Sequence, residues 1–309
     1  KGEDLLNDEE TLLRNRHIAL NINRTERATL KKKSEIINYF RKFFLEHDFI
    51  EVDTRMLLPI NSGAIAKPFK THHNSLDMDL YLRIAPELDL KRLLIGGMDK
   101  IFEIGKNFRN EGMSKIHNPE FLSLEAYICY KTIEYWLGWS KILLTTLAET
   151  YLKKYIEFKT YTMTAFVYVE GGNINDLENE FERLIKTKEI IEKYPYLIIT
   201  DFPAKSSPLA MPCKYLKEFC ERAEIYIHGI EVANMYQELT DPIKQKENMQ
   251  NYAAQNQEEF SYDEDYCKAL EYGLPPCTGI GFGLERIIMW LLNIENIKEM
   301  QSIPLFKEQ

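Results

Sequence analysis

The chain has 309 residues, 45% of them apolar and 28% charged, which is enough to bury a sizeable core and argues against disorder. Its net charge of -9 disfavours a non-specific polyanion binder, because such a field repels phosphate backbones. Five cysteines without C-x-x-C spacing disfavour a disulfide framework or a zinc site, and the apolar run Ile287 to Leu292 is far too short to span a bilayer. These features fit a cytoplasmic protein in a reducing compartment that touches no membrane; a targeting segment upstream of Lys1 stays open.

In chain order, residues 1 to 30 are polar with charges of both signs and read as a lead-in arm to one domain over 31 to 309. From Lys31 to His47, Ile36, Ile37, Phe40, Phe43 and Phe44 recur at helical spacing and predict a long amphipathic helix. Asp48 to Val52 alternates like a strand. Ile101 to Ile104 and Phe121 to Tyr127 flank a polar loop, Arg109 to Pro119, which predicts a long hairpin with a charged tip. Residues 133 to 155 read as a helix and Asp176 to Lys193 as an acidic one; 160 to 195 is the least legible stretch. Leu197 to Thr200 is a short buried-type strand. Ile225 to Ile227, His228-Gly229 and Ile230 onward predict a tight hairpin. Lys244 to Glu259 is a polar helix, and the glycine-rich strand Gly279 to Gly283 runs into an apolar helix, Glu285 to Leu292. Hairpins dominate and no βαβ alternation is visible, so the fold class is α+β, an antiparallel sheet flanked by helices.

Three clusters carry chemistry. Around the loop tip, Arg109, Asn110, Glu111, His117, Asn118 and Phe121 lie within one short segment. A guanidinium there matches phosphate oxygens with a fixed fork of donors, and Phe121 offers a stacking face. Glycines 279, 281 and 283 leave one strand face bare, and Arg286 follows at a helix start; the pattern is not a dinucleotide fingerprint. Glu224, Glu231 and Glu238 are spaced by seven, and the turn at His228-Gly229 brings the first two onto neighbouring strands, where a pair of carboxylates suits Mg²⁺. Asn234, Tyr236 and Glu238 share one strand face by period two, and a carboxylate beside a Tyr suits an ammonium. Each cluster has a plainer alternative: a solvated charged turn, close helix–sheet packing, and surface charge on an edge strand.

Together the segments resemble the three signature motifs of class II aminoacyl-tRNA synthetases, and specifically lysyl-tRNA synthetase. The matching stretches are Gly63-Ala64 through Ala66-Lys67-Pro68-Phe69, Thr71-His72-His73-Asn74, Leu82-Arg83-Ile84-Ala85-Pro86-Glu87-Leu88, Phe108-Arg109-Asn110-Glu111-Gly112, His117-Asn118-Pro119-Glu120-Phe121, Glu238-Leu239-Thr240-Asp241-Pro242 and Gly273-Leu274-Pro275-Pro276. The likeness runs from about Leu6 to Phe306 and is thin between Lys131 and Tyr196.

The resemblance implies ATP and Mg²⁺ as cofactors, lysine as substrate, a tRNA acceptor end as partner and a homodimer. It implies that Arg109, Arg286, Glu111 and His117 are catalytic. Arg109 bridges the α-phosphate and the lysine carboxylate; Arg286 and His117 hold the γ-phosphate end; Phe121 and Arg286 sandwich adenine; Glu111 contacts its amino group. Asn118 and Gly283 complete the ATP site, and Glu224 and Glu231 bind the metal. Gly63 and Glu87 take the lysine α-amine, Glu238 and Tyr127 its ε-ammonium, and Glu125, Asn234 and Tyr236 shape the pocket. Two departures stand out: Thr54-Arg55 replaces the Thr-Pro usual in motif 1, and the anticodon-binding barrel is absent. A free-standing ligase that lysylates a protein such as elongation factor P is an alternative, though those relatives lack the Thr-His-His-Asn region and tend to carry Ala at position 281. An inactive regulatory paralogue is a second, against which stands the full set of motif residues. Residues 31 to 59, with Phe40, Phe43 and Phe44 on one helix face, are expected to form the dimer interface, and Lys31-Lys32-Lys33 is the dense basic run available to a tRNA.

Overall fold

The structure is a computed structural model that describes residues 9–307 except 65 and 257–260. The chain opens with helices α1 (Glu9–Arg14), α2 (Arg16–Ile22) and α3 (Arg24–Leu45), then strands β1 (Ile50–Glu51), β2 (Leu57–Leu58), β3 (Lys70–His73) and β4 (Met78–Leu82). Helix α4 (Glu87–Ile95) leads to the hairpin β5 (Lys100–Phe108) and β6 (Glu120–Cys129), then α5 (Ile133–Tyr151) and β7 (Lys159–Thr162). Three short helices, α6 (Met163–Val169), α7 (Leu177–Leu184) and α8 (Lys188–Lys193), precede β8 (Tyr196–Pro203). The rest is β9 (Phe219–Ile227), β10 (Ile230–Gln237), α9 (Pro242–Gln255), α10 (Glu264–Leu270), β11 (Cys277–Gly283) and α11 (Leu284–Leu292). Among the described residues no helix is long and apolar enough to cross a membrane.

Eight strands form one sheet in the order β1-β5-β6-β11-β10-β9-β8-β7, and β2-β4-β3 form a small second sheet. From β5 across to β8 every pairing is antiparallel, as the hairpin reading requires. Both edges depart from it. β1 runs parallel to β5, and β7 runs parallel to β8. The second pair is a true crossover, because α6, α7 and α8 carry the chain from β7 back to β8. It lies in the stretch where the sequence is least legible, and the acidic helix expected there is two helices, with Thr187 donating its hydroxyl to the Leu184 carbonyl at 3.0 Å in the break.

The polar lead-in is helical. Asn23 caps α3 by accepting from the Thr25 N–H at 2.9 Å, so the long helix begins at Arg24 instead of Lys31. Arg16 is buried and ties α2 to Glu26 and to the carbonyls of Glu299 and Gln301. Residues 1–8 of that lead-in, and the expected end of the polar helix at 257–259, lie outside the described residues. The strand expected over 48 to 52 shrinks to Ile50–Glu51.

Strand alternation splits the large sheet into two unlike faces. Phe102, Leu124, Ala126, Ala223, Ile225, Ala233, Met235, Ile280 and Phe282 face α3, α5 and α11 and make the main apolar core. Phe40 and Phe44 belong to that core, Phe40 against Phe282 and Phe44 stacked on Phe102, while Phe43 packs on Trp139. The aromatic face of α3 is thus consumed inside this chain and needs no second copy. The opposite face carries Glu125, Tyr127, Glu224, Asn234 and Tyr236 and the bare glycines of β11.

Candidate active site

That polar face is the floor of a cavity of about 400 Å³. Gly63, Glu87, Arg109, Glu111, His117, Asn118, Phe121, Glu125, Tyr127, Glu224, Glu231, Asn234, Tyr236, Gly283 and Arg286 all line it. The exception among the expected residues is Glu238, which is fully buried behind the wall.

The mouth is built by the β5–β6 loop and the start of α11. The loop is closed rather than splayed: the Arg109 N–H donates to the Pro119 carbonyl at 2.8 Å, and the Asn110 N–H to the Lys67 carbonyl at 2.7 Å. Asn118 donates to the Glu120 carbonyl at 2.6 Å, which stiffens the return strand. Arg109 places its guanidinium over the Phe121 ring, 5.1 Å from the centroid, and its buried Nε has no hydrogen-bond partner. Arg286, on the first turn of α11, donates to the Glu231 carbonyl at 2.8 Å and lies 3.5 Å from the Glu231 carboxylate. His117 shares a hydrogen bond with Ser114 at 2.7 Å. Burial and the Arg286 charge hold the His117 pKa below its usual value, so it is neutral at pH 7.

The floor is acidic. Glu224 is buried, receives Arg222 and the Tyr226 hydroxyl, and is pushed up to about 7 by burial, with Arg222 opposing and Glu231 reinforcing. The β9–β10 turn makes this meeting possible, because His228 (φ 49°) and Gly229 (φ 75°) both adopt the left-handed conformation that a two-residue hairpin needs. Two neighbouring carboxylates suit a divalent cation. Among the described residues no group of three or more possible metal ligands occurs, so a cation held by Glu224 and Glu231 would need oxygens from a ligand as well. Glu125 is pushed up to about 8 by burial and by Glu87.

Three cations lie close to this floor, Lys91 and Arg83 buried and Arg222 half-buried, and sequence reading gave none of them a role. Lys91, one helical turn after Glu87 on α4, bonds Glu87 at 2.7 Å and ion-pairs with Glu238. Arg222 donates to Asn234 at 3.2 Å and to Ser207 at 2.8 Å, pairs with Glu224, and lies over Tyr236. Arg83 pairs with Glu103 at 2.5 Å and with Thr54 at 2.8 Å. The available signal was periodicity: Glu87 and Lys91 are four apart on a helix, and Arg222 and Glu224 two apart on a strand.

The glycines of β11 have different jobs. A Cβ at Gly279 would strike the Tyr127 ring and come within 2.6 Å of Glu238 Oε1, so this bare face is filled by protein side chains instead of a flat ligand. At Gly281 the nearest atom would be Glu125 Cγ at 3.6 Å, an ordinary contact. On α3, Lys33 is bonded at 3.0 Å to Glu285, which lines the cavity, and this removes Lys33 from the basic run open to a polyanion.

Residues 8–307 match the family described as "tRNA synthetases class II (D, K and N)". Among curated proteins, the chain is 37% identical to the lysine–tRNA ligase of Vesicomyosocius okutanii subsp. Calyptogena okutanii (strain HA) over 97% of its length and 68% of the relative's. It is 39% identical to the lysine–tRNA ligase of Dichelobacter nodosus (strain VCS1703A), with 97% and 68% covered. It is 36% identical to that of Porphyromonas gingivalis (strain ATCC 33277), with 99% and 60% covered.

Proposed function

Because the chain belongs to the class II tRNA synthetases of the D, K and N group, we propose that it activates lysine with ATP and passes the lysyl group to tRNA. The observation that carries this reading is the polarity of this cavity: two guanidiniums, Arg109 and Arg286, at its mouth and a set of acidic side chains, Glu87, Glu125 and Glu224, on its floor. A triphosphate and a diammonium substrate need those two ends side by side.

The lysine carboxylate attacks the α-phosphorus, a P–O bond forms, and pyrophosphate leaves with the bonding electrons. No covalent nucleophile is required; the work is positioning and neutralising charge. Arg109, which lines the cavity mouth, neutralises the α-phosphate and the attacking carboxylate together. Arg286 and His117 hold the distal phosphates, and neutral His117 serves as a hydrogen-bond donor. Phe121 and Arg286 sandwich adenine, with Glu111, Asn118 and Gly283 at its edge. Glu224 and Glu231 would hold Mg²⁺, which supplies charge neutralisation to the phosphates when bound. Gly63 and Glu87 receive the α-amine, and Tyr127 with Glu238 behind it the side-chain ammonium, between Glu125, Asn234 and Tyr236. Exchange of labelled pyrophosphate into ATP that depends on lysine tests the reading; no exchange with lysine or its close analogues would sink it.

Two further parts of the proposal concern partners. Charging of tRNA by this chain alone is expected to be poor, because the net charge of -9 repels a polyanion and Lys33 is already paired. Aminoacylation with and without an upstream anticodon-binding barrel fused on measures this. A symmetric homodimer is expected through residues 50 to 58, where Ile50, Met56 and Leu57 are exposed beside the sheet edge. A monomeric mass by light scattering at micromolar concentration would count against it.

A further inference from the structure

Glu238 poses a problem that Lys91 solves. A carboxylate meant for a substrate ammonium is expected on the cavity wall, yet Glu238 is 0% exposed and sits beneath Gly279 and Tyr127, which do line the cavity. A fully buried carboxylate without a cation takes up a proton and stops being a carboxylate. Lys91 is likewise 0% exposed, and its ammonium contacts one oxygen of Glu238 and, at 2.7 Å, one oxygen of Glu87. Glu238 Oε1 is left without a hydrogen-bond partner, and it lies where a side chain at Gly279 would begin. Glu87 itself lines the cavity.

We propose that Lys91 is a positioning residue for lysine recognition: its buried ammonium clamps Glu87 and Glu238 at a fixed separation and favours the ionised form of Glu238, with the unpartnered oxygen turned to the substrate's side-chain ammonium. The clamp joins the carboxylate that reads one end of the amino acid to the one that reads the other. It therefore makes the pocket measure the distance between two ammonium groups, not merely their charge. This deepens the reading of the cavity as a lysine site and rests on it.

The other titratable groups that face this pair do not substitute for Lys91. Glu87 on α4 disfavours a second negative charge at Glu238, and Tyr127 on β6, Tyr266 on α10 and Cys277 on β11, each raised by burial, stay neutral and bring no positive charge. Lys91 stays protonated because two carboxylates outweigh its burial.

The test is Lys91→Met, which keeps length and removes charge, read by lysine-dependent pyrophosphate exchange in the full chain. The expected result is a lysine KM raised about 100-fold with the ATP KM within about twofold, and preference for lysine over its one-carbon-shorter homologue ornithine reduced. Burial raises the Glu238 carboxyl to about 8 and Lys91 opposes that rise, so the pH at which the lysine KM reaches its low plateau is expected to lie higher in the variant than in the unmodified chain. Equal rises in both KM values, or an unchanged lysine KM, overturn the proposal. If Lys91→Met does not fold, Lys91→Arg, which keeps the charge and changes its reach, decides: a lysine KM raised severalfold with the ATP KM unmoved supports the clamp, and an unchanged lysine KM overturns it. Absence of exchange in the unmodified chain overturns both this inference and the lysine reading; exchange with an indifferent Lys91→Met overturns this inference alone.

Discussion

The mouth and the floor of the cavity are built on opposite principles. At the mouth, Arg109, Phe121, Glu231 and Arg286 are half-buried, Glu111 and His117 are exposed, and the Arg109 guanidinium lies over the Phe121 ring with no hydrogen-bond partner at Nε. On the floor, Glu87, Glu224 and Glu238 are buried and each is bound to an internal cation. A charge that water can still reach costs the fold little, so it can be held ready for a ligand. A charge out of water must be balanced before any ligand arrives, so its recognition role and its structural role are the same interaction. Changes at the mouth are therefore expected to cost activity without stability, and changes on the floor to cost both.

The largest effect is expected at the mouth. Arg109→Ala should lower lysine-dependent pyrophosphate exchange by on the order of 10³-fold at saturating substrates, as loss of a preorganised donor to developing charge does elsewhere. Its thermal unfolding midpoint should stay near that of the unmodified chain. A fall in the midpoint as large as that of a floor variant would break the comparison.

Gly279→Ala is the matching change on the floor. The new methyl would meet Tyr127 and Glu238, both buried and both held from behind, so neither can yield cheaply. Overpacking of this kind costs roughly 1–3 kcal/mol. Chemical denaturation should show that loss, and lysine saturation should disappear while ATP binding persists. A stable variant with normal lysine KM would show that the floor is softer than its packing implies.

A smaller and pH-dependent effect is expected at Glu125. Its carboxyl is pushed from the ordinary 4.5 up to about 8, by burial first and by Glu87 next. The native state thus keeps a proton that the unfolded state releases above about pH 4.5, and stability falls as pH rises from there to about 8. Glu125→Gln removes that dependence. Unfolding midpoints at pH 5 and pH 8 should differ less in the variant than in the unmodified chain, and the variant should be the more stable of the two at pH 8. An unchanged slope would place the charge elsewhere on the floor.

The same division explains what the sequence shows. The mouth comes from contiguous segments, Phe108 to Phe121 and Gly279 to Arg286, whose local composition is unusual enough to read directly. The floor is assembled from α4, β6, β9, β10 and β11, and strand periodicity assigns its residues to a face without saying which cation balances which carboxylate. Lys91 reads as an ordinary helix-surface lysine until α10 and β11 are seen to cover it. The parallel edge at β7 and β8 was illegible because three helices of six to eight residues offer too few turns for a clear apolar period. Conversely, the aromatic face of α3 was legible as a buried face but not as to what buries it, and the answer is this chain's own Trp136, Trp139 and Phe282.

The smallest effect sharpens the comparison most, because it comes from the same strand face as Gly279. Gly281 lies two residues on, paired across to Glu125 and Asn234, and a Cβ there would have only Glu125 Cγ at 3.6 Å as its nearest neighbour. Gly281→Ala should therefore leave stability within about 0.5 kcal/mol, as a substitution without a named clash does. The methyl would project into the cavity at the junction of mouth and floor, so the expected change is a lysine KM raised severalfold with the ATP KM unmoved. Steady-state exchange at varied lysine and varied ATP separates the two. If Gly281→Ala destabilised the chain as much as Gly279→Ala, the distinction between a glycine that makes room for protein and one that makes room for a ligand would fail on its closest pair.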